Sequence, residues 1–222
     1  FGGNVILDGG GNPDAFFIFK FLGAVTVPAG ATITLTGGAK SCNVFFIADG
    51  AFSVAAAAEI KGTLLSKAGA VGLAAGVILE GRMLTLGGEI TLGIGASVTP
   101  PACTTTIPVF CESDCTPNPI VDVLGVLSEF ALFASSGNVG NTGISGVNGN
   151  IGTHVGAITN YASGTHIGEE YIADTLTEQG ALHLEYAYDS LMLVTSTVTH
   201  AADMFNELLL HGVDDMATSR FL

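Results

Sequence analysis

Positive charge is scarce in this chain: its 222 residues include 6 Lys+Arg against 20 Asp+Glu, a formal net charge of −14 at pH 7. Such a surface repels phosphate backbones and anionic lipid, which argues against nucleic acid as a partner. Long apolar runs are missing too. Although 48% of the residues are hydrophobic, no stretch of about 18 apolar residues escapes interruption by glycine or a polar side chain, so no membrane-inserted helix is expected. The four cysteines contain no CxxC, and no pair of histidines stands at zinc-ligand spacing. His154, His166, His183, His200 and His211 are scattered, without HExxH or a Ser/His/Asp arrangement. They read as solvated or internally bonded, and neither catalysis, metal nor cofactor is expected. Glu169-Glu170 and Asp214-Asp215 lack the alternating oxygen ligands of a calcium loop. Gly137-x-x-Gly140-x-x-Gly143 lacks the strand-to-helix setting of a phosphate cradle and reads as turns. The opening Phe1-Gly2-Gly3-Asn4 has neither the basic nor the apolar region of a signal peptide, and the chain reads as a mature or excised segment.

What is abundant is glycine, 31 residues, beside only 12% charged residues. That combination predicts many short strands separated by tight turns. Internal repetition sharpens it. Residues 42–60, 61–79 and 80–98 form three blocks of 19. In register, Gly50, Gly69 and Gly88 share one column; Phe52, Val71 and Ile90 a second; Val54, Leu73 and Leu92 a third; and Ile60, Leu79 and Val98 close each block. Residues 15–33 supply an earlier copy once an eight-residue insertion at 34–41 is allowed. Two-residue alternation, as in Phe52-x-Val54, sends both apolar side chains to one strand face. One coil cannot bury those rungs by itself, whereas stacked coils form a continuous core. The predicted fold is therefore mainly β: a β-solenoid of roughly 19-residue coils.

Three regions follow: solenoid coils over 1–98, a linker or cap over 99–122, and further β coils with a helix over 123–222. Pro100, Pro101, Pro108, Pro117 and Pro119 exclude a central strand from the middle region. Thr104, Thr105 and Thr106 beside Pro108 are candidates for O-linked sugar. Between about 175 and 194, Leu176, Leu184, Ala187, Tyr188, Leu191 and Val194 share one helical face, with Gly180 the weak interior position. This helix should lie along the solenoid. Cys103, Cys111 and Cys115 are the candidate disulfide cysteines, consistent with an extracellular or cell-surface location. Cys111 and Cys115 could close a small loop, or one could reach Cys103 or a neighbouring copy, leaving Cys42 as an odd thiol.

Several of these runs resemble ice-binding-protein-like β-solenoids. Asn12-Pro13-Asp14-Ala15-Phe16-Phe17-Ile18-Phe19, Gly38-Ala39-Lys40-Ser41-Cys42-Asn43-Val44-Phe45-Phe46, Gly62-Thr63-Leu64-Leu65 and Leu79-Glu80-Gly81-Arg82-Met83-Leu84 look like the second half of that domain. Phe130-Ala131-Leu132-Phe133, Asn141-Thr142-Gly143-Ile144, Gly149-Asn150-Ile151-Gly152-Thr153 and the helix look like its first half. The order is reversed relative to the family, as in a permuted domain or a cut through a tandem array. The reversal suggests a non-enzymatic structural or adhesive repeat unit, with copies of itself as head-to-tail or tandem partners. The resemblance implies the alternative, ice binding through a flat β-face, with ice or cell-surface glycans as partners. Three columns are candidates for that face: Thr26, Ser53, Gly72, Thr91; Thr32, Glu59, Ile78, Ser97; and Lys20, Ile47, Ser66, Thr85. None is a clean threonine ladder. The first is the best candidate, with Thr26, Ser53 and Thr91 facing the ligand.

Overall fold

The computed structural model describes residues 3–103, 122–161, 165–196, 198–200, 208–210 and 212–216. Thr104, Thr105, Thr106, Cys111, Cys115 and His211 lie outside them. The chain winds as a three-faced β-solenoid in which every described strand pairing is parallel. One face stacks β1 (Asn4–Asp8), β4 (Thr32–Thr36), the starts of β7 (Glu59–Ser66) and β9 (Ile78–Thr85), then β11 (Ser97–Thr99), β14 (Gly146–Asn148) and β17 (His166–Ile167). A second stacks β2 (Phe17–Phe21), β5 (Val44–Ala48), the ends of β7 and β9, β12 (Phe130–Ser136), β15 (Asn150–Val155) and β18 (Glu170–Ile172). The third stacks β3 (Val25–Val27), β6 (Phe52–Val54), β8 (Val71–Leu73), β10 (Ile90–Leu92), β13 (Val139–Asn141) and β16 (Ile158–Thr159).

The 19-residue columns hold in the strand register: Phe52 pairs with Val71 and Val71 with Ile90, while Ile60 pairs with Leu79 and Leu79 with Val98. Val25 pairs with Phe52, 27 positions on, which is one coil plus the eight-residue insertion. The same step continues beyond the proline-rich stretch, since Val139 pairs with Ile158 and Ile151 with Glu170. Ile90 pairs with Val139, 49 positions on: one coil plus an insertion of 30. The two regions read as halves are thus rungs of a single stack, joined directly where β9 meets β12. Thr99, assigned to the linker from sequence, ends strand β11 opposite Glu80.

Two cores result. Val25, Phe46, Phe52, Val54, Leu64, Val71, Leu79, Ile90 and Val98 fill the interior, where Phe19 and Phe46 stack at 5.0 Å between ring centroids. Outside the second face lies α1 (Thr175–Leu193), within a residue of the span expected. Asp174 caps it: its carboxylate accepts from the Thr177 backbone N–H at 2.8 Å while Thr177 Oγ1 accepts from the Asp174 N–H at 2.9 Å. Leu184, Ala187, Tyr188, Leu191 and Val194 pack on Ile18, Phe45, Ile47, Leu65, Leu84 and Phe133. Each fully buried leucine there contributes about 2 kcal/mol of transfer free energy. Gly180 is not a weak point, because a Cβ there would sit 2.8 Å from Phe133 Cζ. Its absence lets helix and sheet close together.

The helix length is matched to the stack. Nineteen residues span about 28 Å, and the six steps from β18 to β2 span about 29 Å. At the far end Lys20, buried on β2, donates to Met192 O at 3.0 Å and to Val194 O. A cation thereby neutralises the carbonyl end of the helix. Beyond it, β19 (Val198–His200), β20 (Leu208–Leu210) and β21 (Gly212–Met216) return to the stack. β20 pairs with β1, and β21 lies between β2 and β19.

Cys42 is not an odd thiol: it is bonded to Cys103, with Cα atoms 5.9 Å apart and a sequence separation of 61. The separation is not a whole number of coils; the 3-10 turn Ser41–Asn43, at the end of the insertion, lies across β7 and β9 and so carries Cys42 to Cys103 just beyond β11. At the corner between the second and third faces, the expected glycine column runs Gly50, Gly69, Gly88 and continues through Gly137 and Gly156. A Cβ at Gly69 would lie 2.4 Å from Ala51 N, and one at Gly137 2.0 Å from Gly88 O. Inward hydroxyls use the carbonyls of this corner: Ser66 donates to Gly50 O and Gly69 O, Thr85 to Gly69 O and Thr153 to Gly137 O. Of the Gly137-x-x-Gly140-x-x-Gly143 run, Gly140 is a strand residue of β13 and not a turn, since its neighbours Val139 and Asn141 point into the core.

Gly69→Ala is expected to cost at least about 2 kcal/mol because backbone atoms, not a flexible side chain, occupy the space. Gly87→Ala, whose Cβ meets nothing nearer than 3.5 Å, is expected to stay within about 0.5 kcal/mol. Chemical denaturation of both variants checks the contrast. Closure of a 61-residue loop limits the unfolded chain by about 4 kcal/mol in the chain-entropy account. Cys103→Ser should therefore lower unfolding stability by about 2–4 kcal/mol, and reductant should destabilise the native protein but not the variant.

Candidate ligand-binding face

The three faces differ in what they leave exposed. The second is closed by α1. There the column Lys20, Ile47, Ser66, Thr85 dissolves, because Ile47 pairs with Leu65, 18 positions on, while Ser66 pairs with Ala48. That one-residue slip reverses the side on which a side chain points. Lys20 and Ile47 face the helix, whereas Ser66 and Thr85 face the interior.

The first face keeps the column Thr32, Glu59, Ile78, Ser97 in register. It is uneven and charged. Lys61 Nζ donates to Glu80 Oε2 at 2.6 Å and Ser41 Oγ to Oε1 at 2.5 Å, tying the eight-residue insertion to the sheet. Burial would raise the Glu80 carboxyl pKa, but the hydrogen bonds from Lys61 and Ser41 outweigh it and hold the group below its usual range. Ile78 stands out between Glu59 and Ser97, and Ile6 is likewise exposed.

The third face is bare among the described residues. Its outward column runs Thr26, Ser53, Gly72, Thr91, Gly140, Thr159, one residue per strand from β3 to β16. The candidates Thr26, Ser53 and Thr91 therefore share a row and point outward, Thr26 and Ser53 exposed and Thr91 half-buried. Both flanking columns are also low. Ala24, Ala51 and Ala70 stand on one side; Ala55, Ala74 and Gly93 on the other. Backbone bonds such as Phe52 N–H to Ala70 O (2.9 Å) and Ala74 N–H to Val54 O (2.8 Å) extend the ladder past the strand ends. Glu89 is the charged side chain in these rows, and Asn138 beside it binds the next coil through Oδ1 to Ala157 N–H at 3.0 Å. Rigid strands six deep give a plane about 24 Å by 13 Å, on the order of 300 Å². The sequence reading stopped this row at Thr91. Gly140 and Thr159 belong to it, with Thr142 in the flanking column beside Gly93, and the 19-residue step from Val139 to Ile158 is the signal that links Gly140 to Thr159.

The other polar groups serve the fold. His183 Nδ1 accepts from the Val126 N–H at 3.1 Å, and His166 Nε2 lies 2.8 Å from Gly149 O. Tyr188 donates to Asp49, and burial, reinforced by that carboxylate, pushes its phenol well above the usual range. Arg82, buried beneath the short 3-10 turn Gly125–Glu129, donates to Ser128 O at 2.8 Å. No cluster of three or more metal-binding side chains occurs among the described residues, and no described helix is long and apolar enough to cross a membrane.

One face sealed by a helix and another left low and bare define a helix-flanked parallel β-solenoid. Residues 1–98 match the family model described as Ice-binding-like. A solved structure of an ice binding protein from an Antarctic bacterium, Flavobacteriaceae, is similar at 33% identity over 94% of this chain, with a TM-score of 0.46. The chain spans about half of that structure, 48% of its length. No curated protein matches.

Because the Glu80 pKa is lowered on folding, its contribution to stability is present above about pH 4.5 and is lost as pH falls through the folded value. The stability difference between the native protein and Glu80→Gln should narrow as pH is lowered from 7 toward 3. A constant difference across that range would show that the carboxylate pairing is not the source.

Proposed function

We propose that the third face, centred on Thr26, Ser53, Thr91 and Thr159, binds ice. The observation that carries this reading is the bare array of alanine, glycine, serine and threonine in a chain whose residues 1–98 match the ice-binding-like family model. A crystal surface offers no group to enclose, so a pocket cannot recognise it. A plane that repeats at fixed spacing can meet many lattice sites at once. Short side chains on a paired sheet lose little conformational entropy when they bind. Threonine methyls add apolar surface, and the hydroxyls can replace lattice waters in hydrogen bonding.

This reading is preferred to the structural or adhesive repeat unit suggested by the reversed order of the halves. That order is accommodated within one stack, where β21 pairs with β2 of the same chain. Copies of the chain as head-to-tail partners, and cell-surface glycans as ligands, remain proposals of the second rank. An oxidising compartment outside the cell is proposed as the site of action, supported by the Cys42–Cys103 bond.

Thermal hysteresis and ice-crystal shaping test the function. Thr91→Tyr, raising a bulky ring at the centre of the plane, is expected to abolish both with an unchanged melting temperature. Thr99→Tyr on the first face should leave both intact. Activity lost with Thr99→Tyr and kept with Thr91→Tyr would move the site to the other face; an inactive native protein would refute the reading.

A further inference from the structure

We infer that Gly72 and Gly140 are specificity-determining positions of this face, each shaping the threonine one coil further on. The inference rests on the ice-binding reading above. Glycine is disfavoured inside strands, where it loses backbone entropy and packs nothing, yet it stands at the central position of β8 and of β13. The corner glycines are required by backbone crowding. These two are not: neither has a left-handed φ, and apart from one atom each the nearest approach to a Cβ would be 4.0 Å at Gly72 and 3.9 Å at Gly140. The one close atom is in both cases a threonine hydroxyl. Thr91 Oγ1 would lie 3.1 Å from a Cβ at Gly72, and Thr159 Oγ1 3.3 Å from one at Gly140.

Glycine and threonine thus alternate over four successive coils as Gly72, Thr91, Gly140, Thr159. Each threonine leans its hydroxyl back over the glycine before it. Because a β-branched side chain is stiff about χ1, the position of its methyl is set by the same choice. The result is a row of hydroxyls two coils, about 10 Å, apart, standing over hollows whose floor is the backbone itself. Departures from local rules with no structural need concentrate at functional sites. The ligand class this pattern selects is ordered water with a matching two-coil repeat, its molecules seated in the hollows between hydroxyls.

The test separates this pattern from a simple requirement for more hydroxyls. Gly72→Thr and Gly140→Thr, singly and together, complete the hydroxyl row, whereas Gly72→Ala and Gly140→Ala fill the hollows without adding one. All are expected to fold with native circular dichroism and melting temperature, and both double variants to lose thermal hysteresis several-fold. Threonine variants equal to or better than native protein would overturn the inference while leaving the ice-binding reading standing. Failure of the alanine variants to fold would overturn it as well, since the glycines would then serve the backbone. A native protein that neither shapes ice nor gives hysteresis would instead remove the reading on which it rests.

Discussion

Everything in this molecule depends on one repeated interaction, the parallel backbone ladder between a coil and the next. It sets the rise of the stack at about 4.8 Å per coil, and it places each residue over the one 19 positions earlier. At the corner between the second and third faces that leaves no room for side chains. Gly69 lies against the backbone of Ala51, and Gly88 in turn against that of Gly69. The same constraint gives the inward hydroxyls of Ser66, Thr85 and Thr153 their partners, because each corner carbonyl recurs within reach of the coil above. A polar residue at an inward position is satisfied wherever the repeat delivers a carbonyl to it.

A stack of identical faces would expose three sheets, and the chain distinguishes them by what it adds. The second face carries large apolar groups outward as well as inward, and α1 seals it from β18 to β2. The helix end is held by Lys20, a buried cation that donates hydrogen bonds to the carbonyls of Met192 and Val194. The first face is roughened by the 34–41 insertion and the Lys61–Glu80 pair. Only the third is left low and nearly uncharged along its described length. A binding plane for an extended lattice is therefore produced by subtraction, with bulk and charge placed on the other two faces.

Interruptions do not break the ladder. Eight residues enter after β4 and 30 between β10 and β13, and in both places the next strand resumes the column it would have held. Insertions leave from corners, where the chain turns toward solvent and few ladder bonds are lost. The Cys42–Cys103 bond secures the larger insertion at its start.

The sequence by itself determined the period, the inward rungs and the helix. Repeats whose side chains must fill one core write their spacing into the composition of each column, and a helix that covers a sheet must carry an apolar stripe. It also contained the row Thr26, Ser53, Gly72, Thr91, although the 30-residue insertion hid the continuation through Gly140 to Thr159. Tertiary structure decided the rest. Which column points outward turned on a one-residue slip between Ile47 and Leu65, which no local pattern reveals because both registers place apolar residues on the same strand. Which face stays bare was decided by where α1 lands. Cys42 found Cys103 because the insertion carries it across neighbouring coils, and those coils exist only after the chain has folded.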